Sequence, residues 1–279
     1  MSFQKALAWS LFWIGLSLLV AIGIYYYAGP NQAEAFVTGY LLEKSLSFDN
    51  LFIFLMLFTH FGVSASAQRR ALNYGIIGVL VLRGVLIFVG VALVDEFDWL
   101  MYAFGAIVLY SGFVMLRGSS HEFDPATSRT IRLVSKMIKI APDFHGTRFF
   151  VRAEIRHRTR LIATPLFLVL AVIEVMDIIF AVDSIPAIFS VTRDPFIIYA
   201  SNMLAVLGLR SMYFLLVRVH EAFRFVKQGV GVILWFIGIK MLLPAVWPNL
   251  LITNTLALAV VTAVLLTSIL LSVTIREKQ

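Results

Sequence analysis

Five acidic side chains, Glu43, Asp49, Glu174, Asp177 and Asp183, and two arginines, Arg83 and Arg210, stand inside stretches otherwise apolar enough to cross a bilayer. A charge at bilayer depth costs about 2.5–3.5 kcal/mol on insertion scales, so it marks an ion path or a paired network. Glu174 and Asp177 are three residues apart and share a helix face, whereas Asp183 is turned by about 240° from Asp177 in an unbroken helix. Pro186 follows and removes a backbone hydrogen bond; opening the helix there would free carbonyls and let Asp183 swing toward the same cavity. Ser45, Ser47 and Asn50 offer neutral oxygens beside Asp49. Carboxylate, hydroxyl and amide oxygens, without thiol or imidazole, suit a hard or borderline divalent cation, Mn2+, Mg2+ or Ca2+, better than Zn2+ or Cu+. Two uses of the charges stay open. The acids can simply neutralise Arg83, Arg210, Lys44 and Lys240, or they can form a cation or proton path in which Arg83 and Arg210 are counter-charges while the site is empty. The second is preferred. Lys44 and Lys240 are read as snorkelling outward, without a role.

The elements that must position these residues are apolar windows at about 9–28, 36–61, 71–94, 98–116, 161–190, 195–217, 229–246 and 250–273, each long enough for about 30 Å of hydrocarbon. The composition agrees: the 279 residues are 60% hydrophobic and 14% charged, with a mean hydropathy of +0.91, where a soluble chain is about 45–50% apolar and about 25% charged. The fold class expected is all-α, a polytopic bundle of eight transmembrane helices. The chain has no cysteine, which excludes disulfides, thiolate metal sites, iron–sulfur clusters and thiol nucleophiles. Its net charge of +7 lies mostly between the spans, so it reports topology and not nucleic-acid binding.

Arg69 and Arg70, nine Lys or Arg against four acids in residues 118–160, then Arg218, Arg224, Lys227, Arg276 and Lys278 all fall on one side if the spans alternate. By the positive-inside rule that side, with both termini, is cytoplasmic. Within the long loop Ile131, Leu133, Val134, Met137, Ile138 and Ile140 recur opposite Arg132, Lys136 and Lys139, predicting a basic interfacial helix near anionic lipid, with an exported-protein partner as the other possible occupant.

The chain also matches itself at an offset of 126 to 128 residues: Asp49 with Asp177, Arg83 with Arg210, and Gly105, Gly112 and Met115 with Gly231, Gly238 and Met241. Each copy holds three spans, an odd number, so the copies are expected to be inverted, as in many secondary transporters. Asp49 and Asp177 would then lie near mid-depth and meet at the interface. The units are 1–33, an N-terminal helix; 34–117, the first repeat; 118–160, the basic loop; 161–246, the second repeat; and 247–279, the last helix and tail. Crowded carboxylates in low dielectric would hold protons and release them as metal arrives, coupling the two.

His60, His121, His145, His157 and His220 have no metal-ligand spacing, and no GxGxxG, P-loop or GxSxG motif stands in a suitable context. An enzyme is not expected, nor an organic cofactor. At "GYLLEKSLSFDNLFIFLMLF" (39–58), "EVMDIIFAVDSIPAIFSVTRDPFIIYASNMLAVLGLRSMYFLL" (174–216) and "GVILWFIGIKML" (231–242) the chain resembles the TerC family of integral membrane proteins, most closely its alkaline-induced Alx branch. The resemblance covers almost the whole chain. It implies export of Mn2+ from the cytoplasm across a bacterial inner membrane, with tellurium resistance or supply of metal to exported proteins as related roles. The implied site residues are Glu43, Asp49, Asn50, Glu174, Asp177 and Asp183. The wider superfamily, LysE-like in fold, includes lysine exporters, so a basic amino acid is a rival substrate. Members of this branch usually carry one further helix, with an acid in it, before "KALAWSLFW"; with that helix the N-terminus would lie outside.

Overall fold

The computed structural model describes residues 3–117, 125, 128–155, 158–219, 225–248 and 250–274; the side chains of Asp49 and of residues 153–155, 158, 159, 218, 219 and 273 are outside the description. Its helices are α1 (Phe3–Ala28), α2 (Pro30–His60), α3 (Ala65–Glu96), α4 (Trp99–Leu116), α5 (Arg129–Met137), α6 (Pro165–Phe189), α7 (Pro195–Leu207), α8 (Leu209–Val219), α9 (Val226–Val246) and α10 (Asn254–Thr274), with strands β1 (Phe150–Ile155) and β2 (Arg158–Ala163) between α5 and α6. Among the described residues, seven helical segments are long and apolar enough to cross a membrane: α1, α3, α4, α6, α7 with α8, α9 and α10. They make a polytopic helical membrane bundle.

The remaining long helix, α2, is 31 residues, about 46 Å at 1.5 Å per residue. It carries Glu34, Glu43, Lys44 and Asp49, which lower its hydropathy. Its neighbours α1, α6, α7, α8, α9 and α10 enclose it, and from Gln32 to Phe58 none of its described side chains is exposed. Protein therefore replaces lipid around the one helix that holds two of the expected site acids. By contrast α1 and α3 present Leu11, Leu18, Leu19, Ile77, Val81 and Val85 outward, the apolar faces a bilayer solvates.

Local signals explain the boundaries. Ser64 caps α3 by accepting from the Ala67 amide, and Asp194 caps α7 by accepting from the amides of Phe196 and Ile197 ahead of Pro195. Gly29, at φ 91°, supplies the left-handed turn between α1 and Pro30, a conformation that costs a side chain dearly.

Several expectations are corrected. The span expected at 161–190 begins only at Pro165, because Arg158–Ala163 pairs antiparallel with Phe150–Ile155; Arg158 and Arg160, two positions apart, fall on one face of a strand. The loop helix is shorter than expected, and Ile140 leaves it to bridge Ala163. On α5 Val134 is buried, while Leu133 and Met137 are exposed. The expected opening at Pro186 does not occur, since α6 remains helical to Phe189; the proline forgoes its own backbone hydrogen bond, but it stands in the last turn with little helix beyond it to displace. The window 195–217 is instead interrupted at Gly208, between α7 and α8. Lys44 does not snorkel outward: its Nζ donates to the Ala205 carbonyl at 3.1 Å, at the end of α7. Lys240 likewise donates to Asn254 Oδ1 at 2.8 Å.

Helices α4 and α9 are the most intimate antiparallel pair. A methyl group on Gly112 would stand 2.5 Å from the Trp235 amide nitrogen, and one on Gly238 would stand 2.6 Å from Leu109 Cα. Gly105 faces Met241 and Leu242; Gly231 faces Met115 and Leu116. Only glycine permits such backbone approach.

Candidate functional site

Arg83 is the hub. It lies on the buried stripe of α3, with Val79 one turn before it and Ile87 one turn after, so its side chain is driven into the bundle and not into lipid. Its Nε donates to Asp177 Oδ2 at 3.0 Å and to Oδ1 at 3.2 Å, its Nη2 donates to Asp177 Oδ1 at 2.7 Å, and its Nη1 donates to Glu43 Oε1. Glu43 Oε2 accepts from Asn202 Nδ2 at 2.9 Å, and Oε1 also accepts from Ser47 Oγ at 3.4 Å. Arg83 is 1% exposed, Glu43 0%, Asp177 2% and Asn202 1%. Four helices, α2, α3, α6 and α7, thus each contribute a side chain to one dry polar cluster.

Within this hydrogen-bonded cluster of described side chains the charges do not cancel. One guanidinium faces two carboxylates, and an uncompensated charge in a protein interior is costly. A proton or a further cation on the carboxylates restores the balance. Among the described residues no three His, Asp or Glu side chains converge as a ready metal cage.

Other expected residues sit apart. Glu174 is one turn from Asp177 on α6; its carboxylate lies over Gly78, where a methyl group would come within 2.5 Å of Cδ, and its Oε2 is buried without a hydrogen-bond partner among the described residues. Asn50 is buried, with Oδ1 likewise unpartnered. Asp183 is half-buried on α6, six residues beyond Asp177. Asp49 lies on α2, but its side chain, and therefore the expected meeting with Asp177, falls outside the described residues, as do His121, His157 and His220. Arg210 lines a separate cavity of about 640 Å3 with Trp9, Trp13, Asn73, Leu207 and Ser211, and its Nε has no hydrogen-bond partner among the described residues.

Asn202 escaped sequence reasoning. A buried amide in an apolar span was visible in "SNMLAVLGLR", but nothing in the spacing says that it faces Glu43, 159 positions away.

A helical bundle whose enclosed helix joins its neighbours through buried carboxylates and one guanidinium is a polytopic membrane protein with a charged, hydrogen-bonded cluster in its interior. The integral membrane protein TerC family matches residues 28–279, and this chain belongs to that family. It is 48% identical to a protein of Photorhabdus laumondii and 47% identical to one of Escherichia coli K12, each over 251 residues, 87% of this chain and 77% of the relative. Both carry the description "Putative membrane-bound redox modulator Alx". An uncharacterized membrane protein of Myxococcus xanthus is 42% identical over 239 residues, 86% of this chain and 74% of that one. No solved structure matches.

Proposed function

We propose that the protein is a secondary transporter that exports Mn2+ from the cytoplasm in exchange for protons. The observation that carries this reading is the charge imbalance at Arg83: two fully buried carboxylates share one guanidinium, leaving one negative charge for a cation or a proton. Alternation between those two occupants is what proton-coupled cation exchange requires. Glu43 and Asp177 would be the principal ligands, with Asn202 steering Glu43, and Asp49, Asn50 and Asp183 further along the path. Arg83 would stand in for the cation when the site is empty. Oxygen-only ligands favour Mn2+ over softer metals.

An inverted pair of three-helix units underlies the exchange of access in this reading. Its support is reciprocity across α4 and α9: the Gly105–Met241 approach is mirrored by Gly231–Met115, and Gly112–Trp235 by Gly238–Leu109. A two-fold relation between repeats produces paired contacts of this kind. The end bearing α5 and the hairpin is assigned to the cytoplasm from its excess of Lys and Arg. The redox description of the relatives is compatible with metal handling; this chain has no cysteine for a thiol–disulfide step of its own.

The test is Mn2+ flux in proteoliposomes under an imposed pH gradient. Gradient-dependent flux is expected from the native chain and its loss is expected in Asp177→Asn and Glu43→Gln. Folded native protein that moves no Mn2+ under either gradient polarity would refute the transporter reading.

A further inference from the structure

We infer that Glu174 is the second seat of the Arg83 guanidinium: when a divalent cation occupies Glu43 and Asp177, Arg83 leaves Asp177 and pairs with Glu174. The inference rests on the transporter reading, whose cation does the displacing.

A cation arriving between Glu43 and Asp177 brings like charge against a guanidinium that is 1% exposed. Breaking a buried pair without providing another is strongly unfavourable, so the displaced cationic group needs an acceptor within reach. Glu174 is three residues before Asp177 on α6, on the same face and about 4.5 Å along the axis. Its carboxylate is held against α3, the helix that carries Arg83, in a hollow that exists because residue 78 has no side chain. There its Oε2 is buried and lacks a donor among the described residues. A buried acceptor left unsatisfied is uncommon, and the guanidinium would supply the missing donor.

The direction is also right. Gly75 and Gly78 lie against Glu174, and Gly90 lies against Phe189, so α3 and α6 run the same way. A helical side chain leans toward the N-terminus of its helix; Arg83 therefore already leans along α3 toward Gly78, and Glu174 lies one turn further on that path. Glu174 is in this scheme a positioning residue and not a ligand, which fits its absence from the Glu43–Arg83–Asp177 contacts.

The test is the Mn2+ affinity of four full-length chains in lipid nanodiscs, measured by titration calorimetry: native, Arg83→Gln, Glu174→Gln and the double variant. Arg83→Gln removes the internal competitor and is expected to tighten Mn2+ binding by about tenfold or more, since the native site is accessible only for the fraction of time the guanidinium is away. Glu174→Gln is expected to weaken binding in the native background by about tenfold and to have no effect beside Arg83→Gln. Equal weakening in both backgrounds would make Glu174 a ligand and overturn the inference, as would no effect in either. If Arg83→Gln does not fold, Arg83→Lys takes its place in the cycle, with the same non-additivity expected at smaller size and additivity again overturning it. Folded chains of which none binds Mn2+ would refute the transporter reading itself, an outcome distinct from additive effects on measurable binding.

Discussion

At the scale of single residues, the decisive feature is that Arg83 spends its donors on two carboxylates from two other helices. Asn202 completes the cluster by donating to Glu43 Oε2 at 2.9 Å. Asn202→Ala leaves that oxygen buried without its donor, which costs about 1–3 kcal/mol. The expected outcome is a lower thermal unfolding midpoint and slower Mn2+ flux, whereas Asn202→Ser, which keeps a donor, restores part of both. Gly78→Ala acts differently: the new methyl group displaces the Glu174 carboxylate, the far end of a flexible side chain, so the unfolding midpoint is expected to change little. Unfolding midpoints at equal detergent concentration check it, and a clearly lowered midpoint would mean that Glu174 has no other place to go.

At the scale of elements, α4 and α9 meet through glycines whose missing side chains face backbone atoms, which cannot move aside as a flexible side chain can. Gly112→Ala and Gly238→Ala are each expected to destabilise by about 1–3 kcal/mol, the range for overpacking. Because the two contacts are reciprocal, the losses should be similar in size. Gly15→Ala, which meets nothing within 4 Å in the interior of α1, is the control and should leave the midpoint unchanged or slightly raised, since alanine is the better helix former. Unequal losses at residues 112 and 238 would weaken the two-fold relation. The break at Gly208 belongs to this scale too: Lys44, from the enclosed helix α2, donates to the Ala205 carbonyl near the end of α7, where helical carbonyls run out of partners and the dipole favours a cation.

At the scale of the whole molecule, the basic end is built as a small layer against the bundle. Arg70 lies over the Tyr74 and Phe149 rings, 5.8 and 5.3 Å from their centroids, and donates to Thr147 Oγ1, tying the start of α3 to the segment before β1. At the opposite end Arg193 pairs with exposed Asp98, a contact worth little on its own. Since the chain lacks cysteine, single substitutions report sidedness without background. Lys136→Cys and Glu96→Cys are expected to react with an impermeant maleimide from opposite sides of the membrane, residue 136 from the cytoplasm. Labelling of both from one side would overturn the orientation.

Much of the bundle was legible in the sequence because crossing hydrocarbon is a local demand. Every backbone group in a span must bond within its own helix, so apolar length alone marks α1, α3, α4, α6, α9 and α10, although α1 and α3 each begin six residues before the expected windows. The cost of intramembrane charge singled out Glu43, Asp177 and Arg83 in the same way. The hairpin was missed because its Arg158–Ala163 strand runs straight into an apolar helix, and the pairing with Phe150–Ile155 is not a property of either strand alone. Which acids meet which arginine was decided only by the tertiary structure. Spacing along one helix sets a face, but the rotation of that face toward its neighbours depends on packing, such as the glycine contacts of α3 with α6. That rotation turned Lys44 inward, brought Asn202 to Glu43, and left Glu174 beside Gly78 with an acceptor unsatisfied.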